Sequence, residues 1–408
     1  MFALPQRTRI IVLAAIVLIV TVFFLVASSR HSRLPVSLSI IPGRFGSRTS
    51  TLDQVFNQTL GFERIYAIFL PARTDHRDAI ALAAAFTALD IDLVDGVDGS
   101  SVPSSALPPD AAAANLEPGS IGSWRAHLNA LRTIVKQNIS TALILEGDVD
   151  WDIRIKQQMQ DFARASRMLV QPLSGSNDEG FLDPTYPRPA PGQDPSDFIV
   201  GREKVRDPIS SPYGDVDRWD VLWLGHCGAE LPAADEYGNA PLARILHEDD
   251  ETVAEPQHLE PEWGSDDYKT QFPPHTRVTS RTRKNVCSLA YAVTQRGARK
   301  LLYEIGLRSF TANFDLLMRH VCDGAEGRTM ATCLTVQPPL FEHHRPVGPN
   351  SRVSDLAEHT GYTEEAFTIN IRWSTRVNFA KLAMGETDYI DTLKDGEPAA
   401  HKADSKGP

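Results

Sequence analysis

The stretch Ala142-Leu-Ile-Leu-Glu-Gly-Asp-Val-Asp-Trp-Asp152 turns from apolar to acidic at a single glycine. Ala142 to Leu145 is long enough for a short buried strand. Beyond it stand four acids, Glu146, Asp148, Asp150 and Asp152, interrupted by Gly147. That order puts carboxylates at the carboxyl end of a strand, where open α/β sheets bind their ligands. Clustered carboxylates are hard oxygen donors suited to Mg²⁺ or Mn²⁺, which in turn can hold a diphosphate. An isolated acidic turn in solvent is the plain alternative, so the surrounding pattern has to decide.

That pattern is α/β. Glu63 to Leu70 reads as a strand ending at Pro71. The polar loop Ala72-Arg-Thr-Asp-His-Arg77 and an alanine-rich helix to Leu89 follow. Ile91 to Val94 is a second strand, closed by Asp95-Gly-Val-Asp-Gly99, whose glycines allow close backbone approach to a ligand. A helix with Ser120 as N-cap carries Ile121, Trp124, Leu128, Leu131 and Val135 on one stripe. Arg125 and Asn129 fall off the stripe, and His127 packs beside Trp124. After the acidic turn a helix runs to about Val170. Residues 171–218 and 230–285, rich in proline and acid, read as long insertions, parts of which cover the site. Between them Asp220 to Gly225 is a strand. Cys287 to Val293 is another, with Thr294 capping the helix that holds Ala298 to Leu302. Leu334 to Val336 is a late strand, leading to Pro338-Pro-Leu-Phe-Glu-His-His344.

With 408 residues, 42% hydrophobic and 23% charged, the chain has the makeup of a globular protein with one large domain or two smaller ones. A net charge of -11 excludes a broad nucleic-acid-binding face. Ile10 to Ala27 is apolar but for Thr21, at the lower length limit for spanning a bilayer. It reads as a signal-anchor rather than a cleaved signal peptide. The expected organisation is a cytosolic tail (1–9), a transmembrane helix (10–27), a stem (28–60), a catalytic domain (61–378) and a C-terminal segment (379–408) ending in a disordered tail. The sequons Asn57-Gln-Thr59 and Asn138-Ile-Ser140 suit a lumenal body. The cysteines 227, 287, 322 and 333 permit two disulfides in three connectivities, or free buried thiols. Together these point to a single-pass type II protein of the Golgi or ER.

The order of pieces resembles glycosyltransferase family 25, the group of lipooligosaccharide galactosyltransferases and the procollagen galactosyltransferase domain. Four segments carry the likeness: Ile65 to Arg77, Val94 to Gly99, Gly119 to Asp148, and Ala290 to Leu302 with Phe314-Asp315. The resemblance implies a GT-A-like fold, a Rossmann-like mixed sheet flanked by helices. It also implies a nucleotide-sugar donor with galactose favoured, a glycan or glycoprotein acceptor, a Mn²⁺ or Mg²⁺ ion, and inversion at the anomeric carbon. Where the family carries Glu-Asp-Asp, this chain has Gly147 in the middle, so only Glu146 and Asp148 match.

On that basis Asp148 is the expected main metal ligand, Asp150 the second, and Glu146 the residue that orients them. A late histidine often completes a GT-A metal shell; here it comes from the pair His343 and His344, with His344 assigned. Asp315, in the acidic-loop position, is the expected base for the acceptor hydroxyl. Arg73 and Arg77 are assigned to the donor's phosphates or base, Asp95 and Asp98 to its ribose. A metal-dependent hydrolase and a non-catalytic sugar-binding protein are the competing classes.

Overall fold

Residues 50–399 are described by a computed structural model, apart from 176–179, 188–189, 192–195, 234–238, 241–242 and 350–360. The apolar run Ile10–Ala27 and most of the expected stem lie outside the described residues. In chain order the main elements are β1 (Arg64–Phe69), α1 (Thr74–Thr87), β2 (Asp92–Asp95), α2 (Pro118–Lys136), β3 (Thr141–Glu146), β4 (Val149–Trp151) and α3 (Ile155–Val170). Then follow β5 (Ser196–Ile199), β6 (Val221–Gly225), β7 (Ala243–His247), β8 (Arg277–Arg281), β9 (Ala290–Thr294), α4 (Gln295–Leu301) and α5 (Phe314–Asp323). The last are β10 (Cys333–Gln337), β11 (Phe341–Arg345), β12 (Phe367–Thr368) and α6 (Phe379–Met384).

Among the described residues these twelve strands form one mixed sheet, whose main path runs β2-β1-β3-β9-β6-β10-β8-β7-β5. β2, β1 and β3 are parallel, β9 is antiparallel to both β3 and β6, and β10 lies parallel to β6. β11 leaves this path beside Gly225 of β6 and pairs with β4 and β12. The central strands are buried on both faces, which is why their sequences are continuously apolar rather than alternating. Ile65, Ala67, Leu143, Leu145, Leu222 and Leu224 face the core that includes α1 and α3. Tyr66, Ile68, Ala142, Ile144, Trp223 and Tyr291 face the opposite core, formed with α2, α4 and α5. Each fully buried leucine or isoleucine here contributes about 1.5–3 kcal/mol of transfer free energy.

Four sequence expectations change. Ser50, in the expected stem, caps a short 3₁₀ turn in a capping box with Asp53. Val55 and Leu60, assigned to the stem, are fully buried, and the Tyr213 hydroxyl donates to the Leu60 carbonyl. The N-cap of α2 is Glu117 followed by Pro118, and Ser120 lies inside the helix. The two polar segments are not merely loops over the sheet, because they supply β5, β7 and β8. Residues 391–393 pack against the body, with Leu393 buried and Arg372 holding Asp391 at 2.6 Å, while 394–399 are exposed and Asp395 meets Arg372 at 3.1 Å. The cysteines form two disulfides, Cys227–Cys287 and Cys322–Cys333. No helix among the described residues is long and apolar enough to cross a membrane.

Candidate active site

The carboxyl end of β3 is held by the Glu146 amide, which donates to the Leu289 carbonyl (2.9 Å). The chain then turns tightly at Gly147, and the Arg376 guanidinium donates to the Gly147 carbonyl (2.9 Å). A Cβ at this position would lie 2.8 Å from the Phe69 Cβ and 3.2 Å from the His76 Nδ1. The end of β1 and the start of α1 therefore fill the space that an acid would need.

β4 pairs antiparallel with β11, setting Val149 opposite His343, Asp150 opposite Glu342 and Trp151 opposite Phe341. Successive residues of a strand point to opposite faces, and this alternation separates the two histidines. The His343 Nε2 lies 3.6 Å from an Asp148 oxygen, and its Nδ1 lies 3.5 Å from Glu262. Arg345, on the same face, bonds Glu262 at 2.7 Å. The Asp148 side chain is 34% exposed and so reachable from solvent. Burial pushes its carboxyl up, but His343, His76, Arg345 and Arg376 outweigh this and hold it below the ordinary range. Burial works against a charge on His343, yet Asp148 and Glu262 draw it up to about 9. Burial would likewise raise Glu262, but His343 and Arg345 bring it down to about 2.

His344 faces the other way. Its Nδ1 meets the Thr368 hydroxyl at 3.0 Å and lies 3.8 Å from Asp150, and burial lowers it to about 4. Asp150 has no solvent exposure. Its oxygens accept from the Trp151 amide (2.8 Å), the Thr368 hydroxyl (2.7 Å), the Ser374 hydroxyl and the Arg376 amide (3.3 Å). These donors occupy the lone pairs that a metal would use. The structure thus sets Asp150 and His344 into a buried clamp on residues 368–376, away from Asp148.

On the α2 side, the Ser288 hydroxyl donates to Glu146 (2.6 Å), and the His127 Nε2 lies 3.3 Å from the same oxygen. His127 is buried, with its Nδ1 3.0 Å from the Tyr291 hydroxyl and its ring stacked on Phe314 at 4.3 Å. It is packed, as expected, and also orients Glu146. Asp315 stands in the first turn of α5 and accepts from the Cys287 amide at 2.7 Å. Burial raises the Asp315 carboxyl, aided by the charge of Glu146 and partly offset by the Cys287 and Leu316 amides. The disulfide connects the two sides: the Cys287 amide holds Asp315, and the Cys227 sulfur lies 3.8 Å from the His343 Nδ1.

The other assigned residues have local partners. Arg77 pairs with Asp95 at 3.0 Å, both well exposed, and covers the Phe69 ring. Arg73 bonds Asp75 at 2.7 Å and contacts His76, which senses the charge of Asp148. Asp98 accepts from the Ser100 amide (2.9 Å) and hydroxyl (2.7 Å), which makes it the cap of a short turn. A Cβ on Gly99 would lie 1.8 Å from the Pro118 carbonyl oxygen, so this glycine serves contact with α2 rather than with a ligand.

Among the described residues, Cys227, Glu262 and His343 place one ligand atom each within 4.8 Å of the others. The Cys227 sulfur is in a disulfide and is no thiolate, which leaves the histidine and the carboxylates. His343 has the disposition of a metal-binding imidazole, with Nδ1 toward a carboxylate and Nε2 toward the open Asp148. The donor set of Asp148 and His343 fits Mn²⁺ once His343 gives up its proton. Glu262, His76, Ser288 and Arg376 carry no sequence signal that marks them for this site. No protein-family model matches the chain.

Proposed function

We propose that the protein is a metal-dependent glycosyltransferase of the kind found in family 25, acting on a nucleoside-diphosphate sugar. The observation that carries the proposal is the half-open Asp148 facing His343, with Glu262 behind it, at the carboxyl end of a parallel strand. The sheet supports a GT-A-like assignment: three parallel strands, then the antiparallel β9 inserted beside the acidic turn. Asp148 and His343 would hold Mn²⁺ or Mg²⁺, which neutralises charge on a departing diphosphate. Asp315, raised by burial and fixed by the Cys287 amide, is the base that takes the acceptor hydroxyl's proton in a single inverting displacement. Glu146, pinned by Ser288 and His127, orients groups between Asp315 and Asp148. The exposed Arg77–Asp95 pair would meet the donor's base or ribose, while Asp98 keeps a local capping role. Galactose as the sugar, and a glycan or glycoprotein as acceptor, follow from the family resemblance.

Two disulfides and two exposed sequon asparagines, Asn57 and Asn138, support a body outside the cytoplasm, anchored through Ile10–Ala27. Thermal-shift titration with UDP- and GDP-sugars, with and without Mn²⁺, tests the function. Stabilisation by one nucleotide sugar that needs Mn²⁺, followed by transfer to an acceptor, is expected. Release of free sugar or phosphate without an acceptor would make the protein a hydrolase. Binding of glycans alone would make it a lectin.

A further inference from the structure

A second group of metal-type donors lies on a different part of the molecule. Glu255, His275 and Asp395 come from three separate chain segments, and each places one ligand atom within 4.8 Å of the other two. The His275 Nδ1 donates to the Val253 carbonyl at 2.7 Å, so in the neutral ring its Nε2 carries the lone pair. That Nε2 is 3.8 Å from an Asp395 oxygen, too long for a hydrogen bond. It is close to the roughly 3.4 Å that separates two donors on one tetrahedral zinc ion. The His275 backbone is fixed in the left-handed region (φ 61°), with its carbonyl accepting from the Asp250 amide at 2.9 Å.

The carboxylates are pre-positioned as well. Arg372 holds Asp395 at 3.1 Å, while Glu255 accepts from the Gly396 amide and the Gln257 side chain, each at 2.7 Å. Each carboxylate keeps further lone pairs after these bonds. Glu255 precedes the short turn Pro256–His258. The His258 Nε2 meets the Lys394 carbonyl at 2.9 Å, and its Nδ1 is buried without a partner.

We propose that Glu255, His275 and Asp395 bind a divalent transition metal, Zn²⁺ by donor type, which ties residues 391–399 to the segment before β8. Water completes the four-coordinate shell. The ion is structural, and the inference stands or falls independently of the proposed transferase activity.

The test uses chelator-stripped protein carrying Asp148→Asn, which removes the proposed active-site ligand and leaves this site to be read alone. Calorimetric titration with Zn²⁺ is expected to show one ion per chain, and Co²⁺ the visible absorption of a tetrahedral site. His275→Ala and Asp395→Ala in that background should each weaken Zn²⁺ binding by at least roughly 100-fold, the upper range for loss of a mere supporting residue. Zn²⁺ should also protect residues 391–399 from proteolysis. If His275→Ala does not fold, as judged by near-ultraviolet circular dichroism, Asp395→Ala decides, because Asp395 is 44% exposed and tolerates truncation. No saturable Zn²⁺ binding below millimolar, or undiminished binding in the folded variants, would overturn the proposal.

Discussion

Asp148 and Asp150 are two residues apart on the same turn and each has a histidine of β11 beside it, yet their environments are opposite. Asp148 is one-third exposed and faces a charged His343, itself backed by Glu262. Asp150 is sealed, saturated by four donors, and faces a neutral His344. Adjacent carboxylates of the same type can thus divide between a ligand site and a structural clamp. What divides them is strand alternation in β11 and the return of residues 368–376 over one of the two faces.

The largest effect on stability should come from the sealed pair. Asp150→Ala leaves the Thr368 and Ser374 hydroxyls and two amides without their acceptor, which should cost about 3–5 kcal/mol, measured by urea unfolding. A change below 1 kcal/mol would mean that the clamp is not a clamp. Asp148→Asn should cost less in the same unfolding experiment, because the side chain is one-third exposed and His343 keeps Glu262 as a partner. It should lower metal-dependent transfer by about 10²–10³-fold, the scale of one lost electrostatic stabiliser. Turnover equal to wild type would remove Asp148 from the metal site.

Placing an acid at Gly147 offers an intermediate test. Gly147→Asp must push the Phe69 Cβ away and should cost about 1–3 kcal/mol as overpacking, with no gain in metal affinity. Tighter Mn²⁺ binding in this variant would show that the space can be remade.

The mildest probe is pH, applied to metal-free protein. His343 is raised to about 9 in the folded state, so its contribution is complete below about 6.5 and lost as pH rises through 9. His344 is depressed to about 4, so its contribution is complete above about 6.5 and lost as pH falls through 4. His343→Gln should therefore flatten the alkaline limb of a Tm–pH curve, and His344→Gln the acidic limb. Interchanged limbs would reverse the assignment of the two faces.

Much of the sheet was legible because its central strands, such as Ala142–Leu145 and Val221–Leu224, are apolar on both faces. β8 was not. Arg-Val-Thr-Ser-Arg281 reads as a polar loop, but every residue is buried, with Arg277 bonded to Asp250 at 2.7 Å and Arg281 near Asp183 at 3.5 Å. Hydropathy cannot anticipate charges neutralised by partners far along the chain. The acidic turn was legible as a site, but its internal division was not. The Asp150 donors Thr368 and Ser374 lie 218 and 224 residues away in sequence, and only the folded register brings them in.

Mn²⁺ binding followed by electron paramagnetic resonance in Asp395→Ala protein, which removes a ligand of the second proposed site, and in that background with His343→Ala or His344→Ala, tests the division of the two pairs most directly. Loss of the bound-Mn²⁺ signal in His343→Ala and its retention in folded His344→Ala is the expected result. Retention in His343→Ala with loss in His344→Ala would contradict it.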